Sequence, residues 1–107
     1  MQQARADIQQ QEPRQYRMSG TVDFNTAPDL LKRSLQLLAG VDAGDGALSM
    51  DLSGVDACNS AALALLLEIF RQAQLRKLDI QFKNLPDNLL SIARAYGVED
   101  TIRDISQ

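Results

Sequence analysis

Residues 51–67 have the sequence DLSGVDACNSAALALLL, which contains the end of a strand, a short loop and the start of an apolar helix. Residues 47–52 (ALSMDL) are predicted to form the strand, and residues 53–56 (SGVD) the loop that follows it. Asn59 is a good N-cap residue for a helix that begins at 59–60 and runs to about residue 76. The first two turns of this helix are apolar nearly all round, which is typical of a helix buried at its start.

On both sides of this segment, strands alternate with helices in the order β(β)αβαβαα. The elements are predicted over residues 16–22 (a strand or hairpin broken at 19–20), 26–40 (a helix capped by Asn25 or Thr26), 47–52 (a strand), 59–76 (a helix), 78–82 (a strand), 86–96 (a helix) and 99–105 (a short helical tail). Such alternation predicts an α/β fold with a mixed sheet of about four strands covered by three to four helices.

The length of 107 residues favours a single domain, since one chain of this size can bury one core. Residues 1–13 are rich in Gln and end in Pro13, a composition typical of a disordered tail. We therefore expect a disordered tail over 1–13 and the folded domain over 14–107.

The charge balance and the residue types exclude several functional classes. The net charge is −3 and the sequence pI is about 4.7, which disfavours nucleic acid or an anionic lipid surface as a direct partner. The sequence contains no histidine, so a Ser-His-Asp triad and a zinc site of the HExxH kind are both excluded. The single cysteine, Cys58, cannot form an internal disulfide and is compatible with a reducing compartment.

The pattern of apolar residues predicts a cytoplasmic protein without a membrane-inserted segment. The N-terminal residues 1–15 lack the apolar core of a secretory signal. The longest apolar run, over 61–67, is far shorter than the roughly 20 residues that a membrane helix needs.

The side chains before the central helix do not form a catalytic set. Asp51, Ser53 and Asp56 could suggest acid–base chemistry, but Asp and Ser at the end of a strand usually bind loop amides. Cys58 has no base near it in sequence and is interpreted as a small hydrophobic residue. We predict no catalytic residue, no metal site and no cofactor.

Residues 51–67 resemble the signature of STAS domains, the fold of bacterial anti-sigma-factor antagonists. That signature has a strand ending in DLSG, a short loop and then Asp-Ser-(Ser/Ala/Thr)-Gly at the start of a Leu-rich helix, where this chain has Asn59, Ser60, Ala61 and Ala62. Residues 20–31 (GTVDFNTAPDLL) are similar to the first helix entry of the family. Residues 82–102 (FKNLPDNLLSIARAYGVEDTI) are most similar to its MlaB-type branch.

The resemblance implies a non-enzymatic protein that acts by binding a protein partner. Within the MlaB-type branch, the partner is the ATPase of a phospholipid-transport ABC complex, and the domain lies in the cytoplasm, peripheral to the inner membrane through that complex. The residues predicted to bind the partner are Asp56, Asn59, Ser60, Ala61, Arg94 and Tyr96.

The alternative implied by the resemblance is an anti-sigma-factor antagonist, with an anti-sigma-factor kinase as its partner and Ser60 as the phosphoacceptor. Two departures bear on this choice: Asn59 replaces the Asp of the antagonists, and Ala62 replaces their Gly. The loss of the Asp favours the first hypothesis, and we expect no regulated phosphorylation of Ser60.

Physical chemistry leaves two interpretations of the Asn59–Ser60 pair. The first residues of a helix carry amide donors without intrahelical partners, so a partner's acceptor could bind there. The pair could equally do no more than cap the helix. Arg94 and Tyr96 combine a cation with an aromatic ring, which is typical of interfaces, but whether they contact a partner stays open.

Overall fold

The structure is a computed structural model that describes residues 5–44 and 46–106. Within these residues the chain forms four strands and four helices. They are β1 (Ala6–Glu12), β2 (Gln15–Val22), α1 (Ala27–Ala39), β3 (Leu48–Cys58), α2 (Ser60–Leu75), β4 (Ile80–Lys83), α3 (Asp87–Ala95) and α4 (Glu99–Asp104). The α/β fold with a mixed four-stranded sheet and four helices is confirmed.

The sheet has the strand order β1-β2-β3-β4, with β1 antiparallel to β2 and the other two pairs parallel. A tight turn joins β1 to β2, whereas each parallel pair needs a crossover, which α1 and α2 supply. Because β2 and β3 are parallel neighbours and each is followed by a helix, the first turns of α1 and α2 lie at the same end of the sheet.

One face of the sheet packs on the helices and the other is polar. Met50 and Leu52 of β3 are 2% exposed, and Phe82 of β4 is fully buried. The intervening Asp51 and Ser53 lie on the opposite face, as the two-residue period of a strand requires. The apolar first turns of α2 are also buried as predicted, because this helix contacts both α1 and α3 and its apolar side chains share one core with those of the sheet.

The predicted disordered tail is wrong for residues 6–12, which form β1. This edge strand needs only one apolar face, and Ile8, at 4% exposure, provides it among otherwise polar side chains. Pro13 and Arg14 form the turn to β2, with Arg14 in the left-handed region at φ 67°. A low apolar content therefore did not indicate disorder here. Residues 1–4 of the predicted tail lie outside the described residues.

Two strands are longer than the sequence predicted. β2 is not broken at 19–20, because its register with β3 shifts beside Gly20 and the strand continues. At Gly20 the φ of +89° and the close approach of the Arg5 carbonyl exclude a side chain. The predicted loop over 53–56 belongs to β3, which continues to pair with β2 as far as Val22 and Cys58. Gly54 permits this extension, since a Cβ there would lie 2.9 Å from the Cβ of Ser19.

Candidate functional site

The N-terminal end of α2 has the geometry predicted for it. Asn59 is the N-cap, and its side-chain oxygen accepts a hydrogen bond of 2.9 Å from the backbone N–H of Ala61. Ser60 is the first helical residue and is partly exposed, whereas Ala61 is buried. The cap leaves further backbone donors of the first turn without an intrahelical partner, beside the positive end of the helix dipole.

The starts of α1 and α2 are both tied to the end of β2. The backbone N–H of Asn59 donates to the carbonyl of Val22 at 3.2 Å. On the α1 side, the hydroxyl of Thr26 donates to the carbonyl of Thr21 at 2.9 Å and accepts from the backbone N–H of Asp23 at 2.9 Å. These bonds hold the first turns of the two helices in a fixed relation.

An apolar groove of about 460 Å³ runs between the N-terminal halves of α1 and α2, and its lining on α2 begins at Ala61, the residue after Ser60. It is lined by Phe24, Ala27, Pro28, Leu31, Ala61, Ala64, Leu65 and Glu68. The ring of Phe24 is 68% exposed, although a side chain of this size usually packs inside. Small residues on α2, Ala61 and Ala64, leave room that larger side chains would fill. The groove is thus an open apolar surface with a polar helix end at its margin.

Of the predicted site residues, Ala61 lines this groove, whereas Asp56, Asn59, Ser60, Arg94 and Tyr96 do not. Asp56 is exposed and borders a separate depression together with Asp7, Ser19 and Gly54. Arg94 and Tyr96 are exposed at the far end of α3. The start of α3 lies against the end of β3, because the Asn88 side chain donates to the Cys58 carbonyl at 3.0 Å. Tyr96 follows Asn88 by eight residues, about 12 Å along a helix.

Arg94 also has a partner within the chain. Its guanidinium donates two hydrogen bonds to the Glu99 carboxylate, at 3.2 and 3.0 Å, and Arg103 donates to the same carboxylate at 2.8 Å. The hydrogen bond from Arg94, followed by that from Arg103, lowers the pKa of Glu99 to about 2. Arg94 thus joins α3 to α4, whereas the ring of Tyr96 stays 63% exposed.

The carboxylate of Asp51 and the thiol of Cys58, both on β3, are held in structural contacts. Partial burial would raise the pKa of Asp51, but hydrogen bonds from Asn84 (2.9 Å) and from the Ser53 amide and hydroxyl (2.9 and 3.0 Å) outweigh it and lower that pKa. Burial raises the pKa of the Cys58 thiol, which donates to the Asn88 side chain at 3.3 Å. A protonated thiol is a poor nucleophile, so Cys58 serves packing.

Two further features bear on the class of protein. Among the described residues, no group of three or more Cys, Asp or Glu side chains is placed to hold a metal ion. The helices of residues 5–44 and 46–106 include none with the length and apolar character needed to cross a membrane.

Sequence reasoning missed the groove because its two walls are far apart in the chain. Phe24 and Leu31 are separated from Ala61 by at least 30 positions, and only the parallel pairing of β2 with β3 brings them together. One signal was present: Phe24 is an aromatic residue inside the otherwise polar cap segment DFNT. An aromatic residue in such a segment has no helical face on which to be buried.

Comparison with known proteins identifies the fold family. A family model described as "Mlab, STAS domain" matches residues 6–104. The chain belongs to the MlaB-type STAS domains. Among solved structures, a chain of the Acinetobacter MlaFEDB complex in its ATP-bound Vtrans2 conformation is similar, with 28% sequence identity and a TM-score of 0.67. The similarity covers 80% of this chain and 87% of that one.

These comparisons confirm the resemblance to STAS domains of the MlaB type that residues 51–67 and 82–102 indicated. The matched range also begins at residue 6, so the family model includes β1. Comparison with curated protein sequences gave no significant match.

Proposed function

We propose that this STAS domain is a non-enzymatic accessory subunit that docks onto the ATPase of an Mla-type phospholipid-transport ABC complex. The observation that carries the proposal is the apolar groove between α1 and α2, with the exposed Phe24 ring on one wall and Ala61, the residue after Ser60, on the other. Its docking surface is the groove together with the first turn of α2. The domain would work in the cytoplasm, attached to the inner membrane only through the transporter.

The family supports a partner within a transport complex. The similar Acinetobacter chain, at 28% identity, belongs to the MlaFEDB complex in an ATP-bound conformation. An ATP-bound state implies an ATPase within that assembly. The family model matches residues 6–104 and so includes both helices that line the groove.

The character of the surface supports a protein partner. Interfaces combine an apolar centre with a polar rim, and aromatic side chains often carry most of their binding energy. Here Phe24 and Leu31 supply the apolar centre and Glu68 is the polar residue of the lining, while the partly exposed Ser60 directly precedes the lining residue Ala61. The Asp51 carboxylate, which the sequence offered for acid–base chemistry, instead accepts hydrogen bonds from Ser53 and Asn84.

The experiment that tests the proposal is the substitution Ser60→Glu. An acidic residue in the first turn of α2 suits the helix dipole and should stabilise the fold by roughly 0.3–1 kcal/mol. At an interface, the same carboxylate would be buried without a partner, which weakens binding by several kcal/mol as an order of magnitude unless the ATPase supplies a cation. Fold stability and partner affinity should therefore change in opposite directions.

The measurement combines a thermal melt with co-purification of the ATPase subunit. Ser91→Glu provides the matched control, because it places the same side chain at an exposed serine on α3, outside the groove. We expect Ser60→Glu to melt no lower than the wild type and to lose the ATPase, while Ser91→Glu retains it. Retention of the ATPase by Ser60→Glu would move the docking surface away from the start of α2.

A further inference from the structure

The strand β1 forms one edge of the sheet, and half of its backbone groups point away from β2. The Arg5 carbonyl accepts a hydrogen bond of 2.8 Å from the Thr21 N–H, so residue 5 faces β2. In a strand the direction of the backbone groups alternates from residue to residue. The N–H and C=O groups of Ala6, Ile8 and Gln10 therefore face outward, where an added strand would bind them.

At the centre of this edge, both outward groups of Ile8 have partners within the chain. The Ile8 N–H donates to the Asp7 carboxylate at 2.8 Å, and the Ile8 carbonyl accepts from the Arg33 guanidinium at 3.3 Å. Arg33 also donates to Asp7, and its other nitrogen lies 3.5 Å from Asp29. A side chain from α1 thus reaches over the edge of the sheet and occupies the position of an added strand.

Without the Asp7 and Arg33 side chains on its outward backbone groups, the β1 edge would be able to pair with β1 of a second copy of the chain. Two β1 strands can pair antiparallel about a two-fold axis at Gln9, which brings Ile8 of one copy opposite Gln10 of the other. In this register Asp7 lies opposite Gln11 and Ala6 opposite Glu12, so no like charges face each other. The glutamine-rich strand offers no charge of its own at the centre that would prevent such pairing.

We propose that Asp7 and Arg33 close the β1 edge, and that opening it lets the chain dimerise through β1 with a second copy. Free edge strands are sites of unwanted pairing, and proteins commonly protect them with charged side chains. Here the protection comes from an ion pair between the strand and α1, which satisfies the two central backbone groups. This inference is independent of the docking proposal, because it concerns β1 and not the groove.

The test is sedimentation of the variants Arg33→Ala and Asp7→Ala over a wide range of protein concentration. We expect the average mass of both variants to rise with concentration towards twice the monomer mass of 11.8 kDa, beyond any rise in the wild type. Lys32→Ala is the matched control, since it removes a charge from an exposed position one residue away on α1. Its mass should follow that of the wild type.

A second substitution assigns the dimer to the β1 edge. Gln10→Pro removes an outward N–H while sparing the hydrogen bonds from β1 to β2, so adding it to Arg33→Ala should restore the wild-type mass. Circular dichroism melts establish that each variant is folded. Folded Arg33→Ala and Asp7→Ala proteins that sediment like the wild type would overturn the proposal, and so would a dimer that Gln10→Pro leaves intact.

Discussion

Phe24 provides the sharpest quantitative test of the docking surface. Its ring is 68% exposed in the isolated domain and stands on the wall of the groove between α1 and α2. The substitution Phe24→Ala removes the ring but keeps the hydrogen bonds between Asp23 and Thr26 in the segment that leads into α1. Because the ring contributes little to the core of the free domain, the melting temperature should change little.

The expected loss of affinity follows from the area that a partner would cover. A Phe side chain buries about 150–250 Å² when fully covered, so its 68% exposed part leaves about 100–170 Å² for the partner. At about 25 cal/mol per Å², this area is worth about 3 kcal/mol. Ordering and desolvation at the interface reduce that value, so we expect a loss of about 2 kcal/mol, or roughly thirtyfold in Kd.

The assay is a titration of the purified ATPase subunit with wild-type and variant domains. Leu75→Ala is the matched control, because Leu75 is also 68% exposed but lies seven residues after Glu68, the last groove residue on α2, about 10 Å along the helix. We expect Leu75→Ala to bind like the wild type. Equal affinities for Phe24→Ala and the wild type, with both folded, would refute the assignment of the groove as the docking surface.

Three further predictions concern the helix ends and the ion pairs. Asn59→Ala removes the cap of α2 and should destabilise the domain by about 1 kcal/mol, lowering the melting temperature by roughly 4–8 °C, whereas Asn59→Asp should keep the cap and melt within a degree or so of the wild type. Intact-mass measurement of natively expressed protein should show no dominant phosphorylated species, and one that maps to Ser60 would favour an anti-sigma-factor kinase as the partner. The pKa of Glu99 is lowered from 4.5 to about 2 by Arg94 and then Arg103, so its contribution to stability is present above pH 4.5 and is lost as the pH falls towards 2. Urea unfolding across that range should show a shallower acid loss for Glu99→Gln, and identical pH profiles would contradict the role of this cluster.

The order of the elements could be predicted because local signals agree with the fold. The start of α2 follows from Asn59 as a cap before an apolar segment, and the end of α1 follows from Gly40. The third helix begins after Pro86 and stops before Gly97 for the same kind of reason. Such signals act over a few residues, so a single sequence carries them.

The features that were missed depend on contacts between distant residues. β1 is stable because Ile8 inserts into a core built by later elements, which its glutamine-rich neighbours do not reveal. The last residues of β3 remain a strand because β2 is long enough to pair with them and Gly54 lets the two backbones approach. The placement of Arg94 and Tyr96 was likewise beyond the sequence, because it depends on the direction of α3 relative to the groove.

The hydrogen bonds that tie both helix starts to the end of β2 have a consequence for binding kinetics. Because Asn59 and Thr26 anchor the two walls of the groove to neighbouring residues of one strand, the walls are assembled before any partner arrives. A preformed surface loses little conformational entropy on association, and its backbone shifts little. Association should then be a single rigid-body step with a rate constant of about 10⁵–10⁷ M⁻¹s⁻¹, and differences in affinity among groove variants should arise mainly in how fast the complex dissociates.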